Sequence, residues 1–127
     1  MVRQALLGVP SPTTFRAERE GAANARYVAS ETGTASVSLD ALQAEGSIEA
    51  DVGLLHVDVE GMELEVLRGA RTMLETQRPY VVVETFDRPA VDAFLSQFGY
   101  ASEEIPESCN LADVYDVTRC RNYVYSP

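Results

Sequence analysis

Two short acidic segments hold the residues best suited to chemistry: His56-Val57-Asp58-Val59-Glu60-Gly61, and Glu84 followed by Asp87. Carboxylates collected at one place can accept a proton from a hydroxyl, hold a divalent cation, or hydrogen-bond ribose and amine groups. Asp58 lies inside the apolar run Leu54 to Val59, where a lone carboxylate is costly to desolvate without a partner or ligand. His56 is two residues away and shares its strand face, so the two form a candidate His-Asp pair. The structural alternative is a satisfied core histidine, and Glu63 and Glu65 are read as acids that stabilise a helix start.

A phosphate ligand is disfavoured, because Asp58, Glu60, Glu63 and Glu65 surround the helix N-terminus that would attract it. A neutral polar or cationic ligand suits this end of the molecule better. All ten basic residues are Arg, which excludes Schiff-base, P-loop-lysine and lysine-base mechanisms.

Elements that position these residues follow from periodicity. Residues 52–59 form a nearly continuous apolar run, read as a strand covered on both faces. From Met62 to Leu74 apolar residues recur every three or four positions, predicting one amphipathic helix that Pro79 prevents from continuing. A second buried strand follows at 80–85, so 52–85 reads as a right-handed βαβ unit with parallel strands. Ligands of such sheets bind at the carboxyl ends of the strands, where Asp58, Glu60, Glu84 and Asp87 lie.

Shorter signals fill in the rest. Residues 4–9 read as a strand stopped by Pro10 and Pro12, and Thr13 to Ala17 and Ala35 to Leu39 as short strands suited to a hairpin, with a surface loop between them. Asp40 reads as the cap of a short helix that Gly46 stops. A helix is expected over 89–98, ended by Gly99, then strands at 100–103 and 122–126 pairing antiparallel across a long loop. Cys109 and Cys120 read as ordinary thiols, and with one His in the chain no structural zinc site is expected.

At 127 residues and 46% hydrophobic, the chain has the size and composition of one globular domain over 1–127. The formal charge of −10 argues against nucleic acid or an anionic membrane as partner. No apolar run approaches the roughly 18 residues of a membrane span, and without a convincing signal peptide a cytoplasmic location is expected.

Residues 54–84, LLHVDVEGMELEVLRGARTMLETQRPYVVVE, resemble the core signature of the FkbM-type methyltransferases. Asp58, Val59, Glu60, Gly61, Glu63, Val66, Leu67, Gly69, Ala70, Pro79 and Glu84 match it without interruption. QALLG at 4–8, Ser38-Leu39-Asp40, Gly99-Tyr100 and Arg121-Asn122-Tyr123 are similar to its flanking segments. The resemblance implies an α/β, Rossmann-like class I methyltransferase fold, with a mainly parallel sheet and a late antiparallel strand. It further implies S-adenosylmethionine as methyl donor and a hydroxyl on a sugar or other small molecule as acceptor.

By position in that signature, Asp58 and Glu60 lie beside the transferred methyl or the acceptor hydroxyl, and Glu84 lines the substrate side. Asp58 is the first choice for orienting the acceptor or the cofactor's sulfonium end, with a carboxylate or His56 as the base. The family's Gly-rich turn has no counterpart here, since G-x-G-x-x-G does not occur among the eight glycines. The N-terminal cofactor-binding half is therefore expected to be absent, with a homodimer or a complementing chain as partner. Two other readings stay open at this point. One is a noncatalytic remnant or interaction module that associates through an exposed sheet edge. The other is a metal-dependent hydrolase built on Asp58, Glu60 and Glu84.

Overall fold

A computed structural model describes residues 6–7, 14–20, 24–30, 34–59, 61–105 and 122–127 of the chain. Its first sheet holds β1 (Leu6–Leu7), β2 (Thr14–Glu20), β3 (Asn24–Ser30) and β4 (Thr34–Val37), in the order β1-β4-β2-β3. β1 runs parallel to β4, while β3 and β4 both run antiparallel to β2. The expected antiparallel pairing of the segments near 13–17 and 35–39 is present as β2 with β4. The surface loop expected between them is not: β3 pairs with β2 residue for residue, from Thr14 opposite Ser30 to Glu20 opposite Asn24. Strand formation here comes from cross-strand pairing, which the glycine and alanine content of the segment conceals.

Ser38 caps α1 (Leu39–Ala44), its hydroxyl accepting the Ala41 N–H at 3.1 Å. Asp40, the expected cap, works elsewhere. After β5 (Leu54–Val57) the predicted helix over 62–74 is two helices, α2 (Glu63–Arg68) and α3 (Arg71–Thr76). The Asp40 N–H donates to the Gly69 carbonyl at 2.9 Å, and its carboxylate accepts the N–H groups of Thr72 and Met73 at 2.9 and 3.0 Å. One distant residue thus ends α2, at a glycine of low helix propensity, and starts α3.

The chain continues through β6 (Tyr80–Glu84), α4 (Arg88–Leu95) with a 3₁₀ turn at Ser96–Phe98, β7 (Ala101–Glu104) and β8 (Asn122–Ser126). Gly99, at φ 81°, ends the helical segment in a conformation that favours glycine. The second sheet has the order β5-β6-β8-β7. β5 and β6 are parallel, and β8 lies antiparallel between β6 and β7, so three strands point one way and one is reversed. The late antiparallel strand is therefore present, but antiparallel pairs predominate over both sheets, and the architecture is α/β with mixed rather than mainly parallel sheets. Cys109, Cys120 and most of the long loop expected before β8 lie outside the described residues.

The core sits on one side of this sheet. Val57, Val81, Val83, Tyr123 and Tyr125 form a single cluster with Val66, Leu67, Met73, Leu74, Val91, Phe94, Leu95 and Phe98 from the helices. Burying each such side chain contributes about 1.5–3 kcal/mol. The Tyr125 hydroxyl donates to Asp92 at 2.8 Å, and the Tyr100 hydroxyl donates to the Pro79 carbonyl at 2.9 Å. The opposite face is not covered in the same way: Leu54 is 61% and Tyr80 54% exposed, although they are register partners. The expectation that 52–59 is buried on both faces fails because, among the described residues, β5 is an edge strand with helices on one side. No helix among the described residues is long and apolar enough to cross a membrane.

Candidate active site

Parallel pairing of β5 and β6 brings their carboxyl ends together. Val57 and Val83 are register partners, so the next residues, Asp58 just past β5 and Glu84 at the end of β6, stand side by side at the carboxyl edge of the sheet. Beyond Asp58 the chain turns at Gly61, whose φ of 101° a residue with a Cβ rarely adopts. It then enters α2 without a side-chain cap on the helix. Glu63 replaces that cap with a different device: its Oε1 accepts the Gly61 N–H at 2.7 Å, fastening the turn.

The turn after β6 is built otherwise. The buried Thr85 accepts the Asp87 N–H at its Oγ1, 3.1 Å away, and the Asp87 carboxylate accepts the Ala90 N–H at 3.2 Å to cap α4. Pro89 occupies the first turn, where its missing N–H costs nothing. Because α2 packs against α4, the two turns face each other across a cleft of about 190 Å³. Glu63, Glu65, Thr85 and Asp87 are its polar walls, and Gly61, Leu64, Ala90 and Val91 its apolar ones.

Among the described residues no arginine lines this cleft, and the sequence has no lysine. Glu65 pairs with Arg68 at 2.6 Å in an exposed, weakly stabilising ion pair. Arg88 follows Asp87 directly but is engaged away from the cleft, 2.8 Å from Glu104, 3.3 Å from Asp92 and 4.6 Å above the Tyr123 ring. The cleft therefore presents negative charge to an incoming ligand, which favours neutral polar or cationic groups. Among the described residues no cluster of three or more His, Cys, Asp or Glu side chains is placed to hold a metal ion.

The residues singled out in the sequence fall differently. Asp58 is exposed at the β5 exit and does not line the cleft, so the desolvation argued for it does not arise. His56 is exposed on the open face of the sheet, and no hydrogen bond joins it to Asp58 among the described residues. Glu84 is half-buried at the end of β6, opposite Asn122 of β8. Glu60 lies outside the described residues. Of the carboxylates expected at this sheet edge, Asp87 enters the cleft, joined by Glu63 and Glu65, which the sequence assigned to the helix start. The available signal was a glycine two residues before a glutamate at a helix start, a spacing that lets the carboxylate reach back to the glycine amide.

A family model described as the methyltransferase FkbM domain matches residues 8–102. No curated protein and no solved structure matches the chain at a significant level.

Proposed function

The chain belongs to the FkbM methyltransferase family, and from that premise we propose that it is part of a Rossmann-like, S-adenosylmethionine-dependent O-methyltransferase acting on a hydroxyl of a sugar or other small metabolite. The observation that carries the reading is the acidic cleft between the β5 and β6 exits, at the edge where open α/β sheets bind ligands. When bound, S-adenosylmethionine supplies a methyl group on a positively charged sulfonium. The residues present fit one end of that molecule only. Carboxylates at the strand exits suit its cationic centre, while the cleft itself, whose volume of about 190 Å³ falls below the roughly 300 Å³ at which sites for drug-sized ligands begin, is left to the acceptor.

The rest of the donor site is assigned in this proposal to a Gly-rich segment that this sequence does not contain, carried elsewhere in the polypeptide or by a second chain. The other edge of β5, which pairs with no strand among the described residues, supports such an arrangement. The Tyr80 N–H donates to the Gly53 carbonyl, so by alternation the N–H and C=O groups of Leu54 and His56 point away from β6. An unpaired edge of this kind accepts another strand.

Asp58 and Glu60 then flank the acceptor hydroxyl, Asp58 also facing the donor's cationic end, and Glu84 lines the substrate side. A carboxylate or His56 takes the hydroxyl proton, and alignment of the reacting groups supplies much of the rate. The same free edge favours a second reading, a noncatalytic module that associates through β5 as a homodimer or with another chain. In either case we place the protein in the cytoplasm, with residues 1–127 acting as one unit.

Calorimetric titration of the folded chain with S-adenosylhomocysteine separates these readings. The expected result is no binding by the chain alone and micromolar binding once a polypeptide carrying the Gly-rich strand and turn is added. Binding by the chain alone would show that it completes the donor site itself. Concentration-dependent dimerisation with no binding in either mixture would leave the interaction module.

A further inference from the structure

Glu63 is the one carboxylate among the described residues that is buried, at 6% exposure. An acid at a helix start is favourable when fully hydrated, so a helix-start role explains its type and not its burial. A buried carboxylate requires partners, yet Glu63 makes a single hydrogen bond among the described residues, which its Oε1 accepts from the Gly61 N–H. The ion pairs in the same region engage Glu65, Asp92 and Glu104 instead. Oε2 is thus left without a partner among the described residues. It is not sealed in the core either, because Arg88 Nε, which ion-pairs with Asp92, is the only fully enclosed side-chain polar atom without a hydrogen bond among the described residues. Glu63 lines the cleft, which is the open space beside its carboxylate.

We infer that Glu63 binds the acceptor in this cleft, its Oε2 accepting a hydrogen bond from a hydroxyl or ammonium group of an uncharged or cationic polyol. The inference rests on reading the cleft as the acceptor side of a methyltransferase, and it gives a named contact to that reading. Fastening Oε1 to Gly61 orients the carboxylate before a ligand arrives, which lowers the ordering cost of binding. Glu65 and Asp87 repel an anionic ligand, and Leu64, Ala90 and Val91 offer an apolar wall to the C–H face of a ring. At about 190 Å³ the cleft takes a single ring or a short side arm.

The test is an amide-resolved NMR titration of the full 127-residue chain with glucosamine, glucose and glucuronate at matched ionic strength. Glucosamine is expected to move the amide signals of Gly61, Glu63, Leu64 and Ala90, glucose to move them less, and glucuronate to leave them in place. Glu63→Gln retains an oxygen for the Gly61 N–H and removes the charge, and should weaken glucosamine about tenfold. Glu75→Gln, an exposed charge control on α3, should leave the affinity unchanged.

Unchanged glucosamine affinity in a folded Glu63→Gln variant overturns the inference, as do shifts at His56 and Asp58 that leave Gly61, Glu63, Leu64 and Ala90 in place. If Glu63→Gln does not fold, Ala90→Leu fills the cleft without touching Glu63, and retained binding in that variant is equally fatal. Glucosamine bound through Glu63 in a protein that never takes S-adenosylhomocysteine would keep this site and end the methyltransferase reading. Methyl transfer that is insensitive to Glu63→Gln would do the reverse.

Discussion

The two faces of the β5-β6-β8-β7 sheet are built from the same strands and have opposite fates. On one, Val57, Val81 and Val83 are at most 2% exposed beneath α2, α3 and α4. On the other, Leu54 and Tyr80 are more than half exposed, while Val82 and Val124 are half-buried. A sheet meant to face water on one side alternates apolar with polar residues, whereas strands of parallel sheets, covered on both faces, carry apolar residues on both. β5 and β6 have the second kind of sequence. The difference teaches that the helix-covered face holds this chain together, and that the open face is apolar beyond what the chain's own stability uses.

That comparison predicts a steep asymmetry in mutational cost. Leu67→Ala, at a fully buried position of α2, should destabilise the chain by about 2–5 kcal/mol, read from urea denaturation. This is a large part of the roughly 5–15 kcal/mol that domains possess. A loss below about 1 kcal/mol would mean that the covered face is not the true core. Asp40→Ala comes next, because it strips the acceptor from two N–H groups that begin α3 on the covered side. A shift of about 0.5–2 kcal/mol is expected, with Asp40→Asn retaining part of it.

How far the sequence discloses this arrangement depends on whether the cause is local. β5, β6, α4 and β7 are legible because apolar periodicity, Pro79 and Gly99 act within a few residues of their effect. The break between α2 and α3 is not, because Asp40, which makes it, lies 32 residues before Thr72. β3 escapes for a similar reason, being held by its register with β2 rather than by strong strand-forming composition. At the candidate site, Asp58, Glu84 and Asp87 are rightly placed at the strand exits by topology alone. The burial of Glu63 is hidden in the sequence, since it depends on α4 packing beside α2 across the cleft.

Alkaline pH tests the covered face without a mutation. Burial pushes the Tyr125 hydroxyl far above its ordinary pKa, and its hydrogen bond to Asp92 and that group's charge add to the effect. Burial likewise raises Tyr100, with Arg78 opposing. In the unfolded chain both phenols ionise near pH 10, so above that pH the native state binds more protons and stability falls as pH rises through the folded values. Melting temperatures should therefore drop from about pH 10 upward, and Tyr125→Phe should flatten the drop. An unchanged slope in that variant would place the ionising groups elsewhere.

The smallest effects are expected on the open face, and they carry the most information about function. Leu54→Ser should change the stability of the isolated chain by less than about 0.5 kcal/mol, since the side chain is mostly in water already. A cost above about 1 kcal/mol would erase the distinction between the faces. His56→Pro is sharper still. The His56 N–H points away from β6, so proline there should spare the ladder while blocking the free edge. If that edge receives the strand that completes a donor site, His56→Pro should leave the melting temperature nearly unchanged and abolish the binding of S-adenosylhomocysteine by the completed assembly. Retained binding would mean that completion, if it occurs, does not run through β5, and the apolar excess of the open face would then need an occupant that makes no backbone hydrogen bonds.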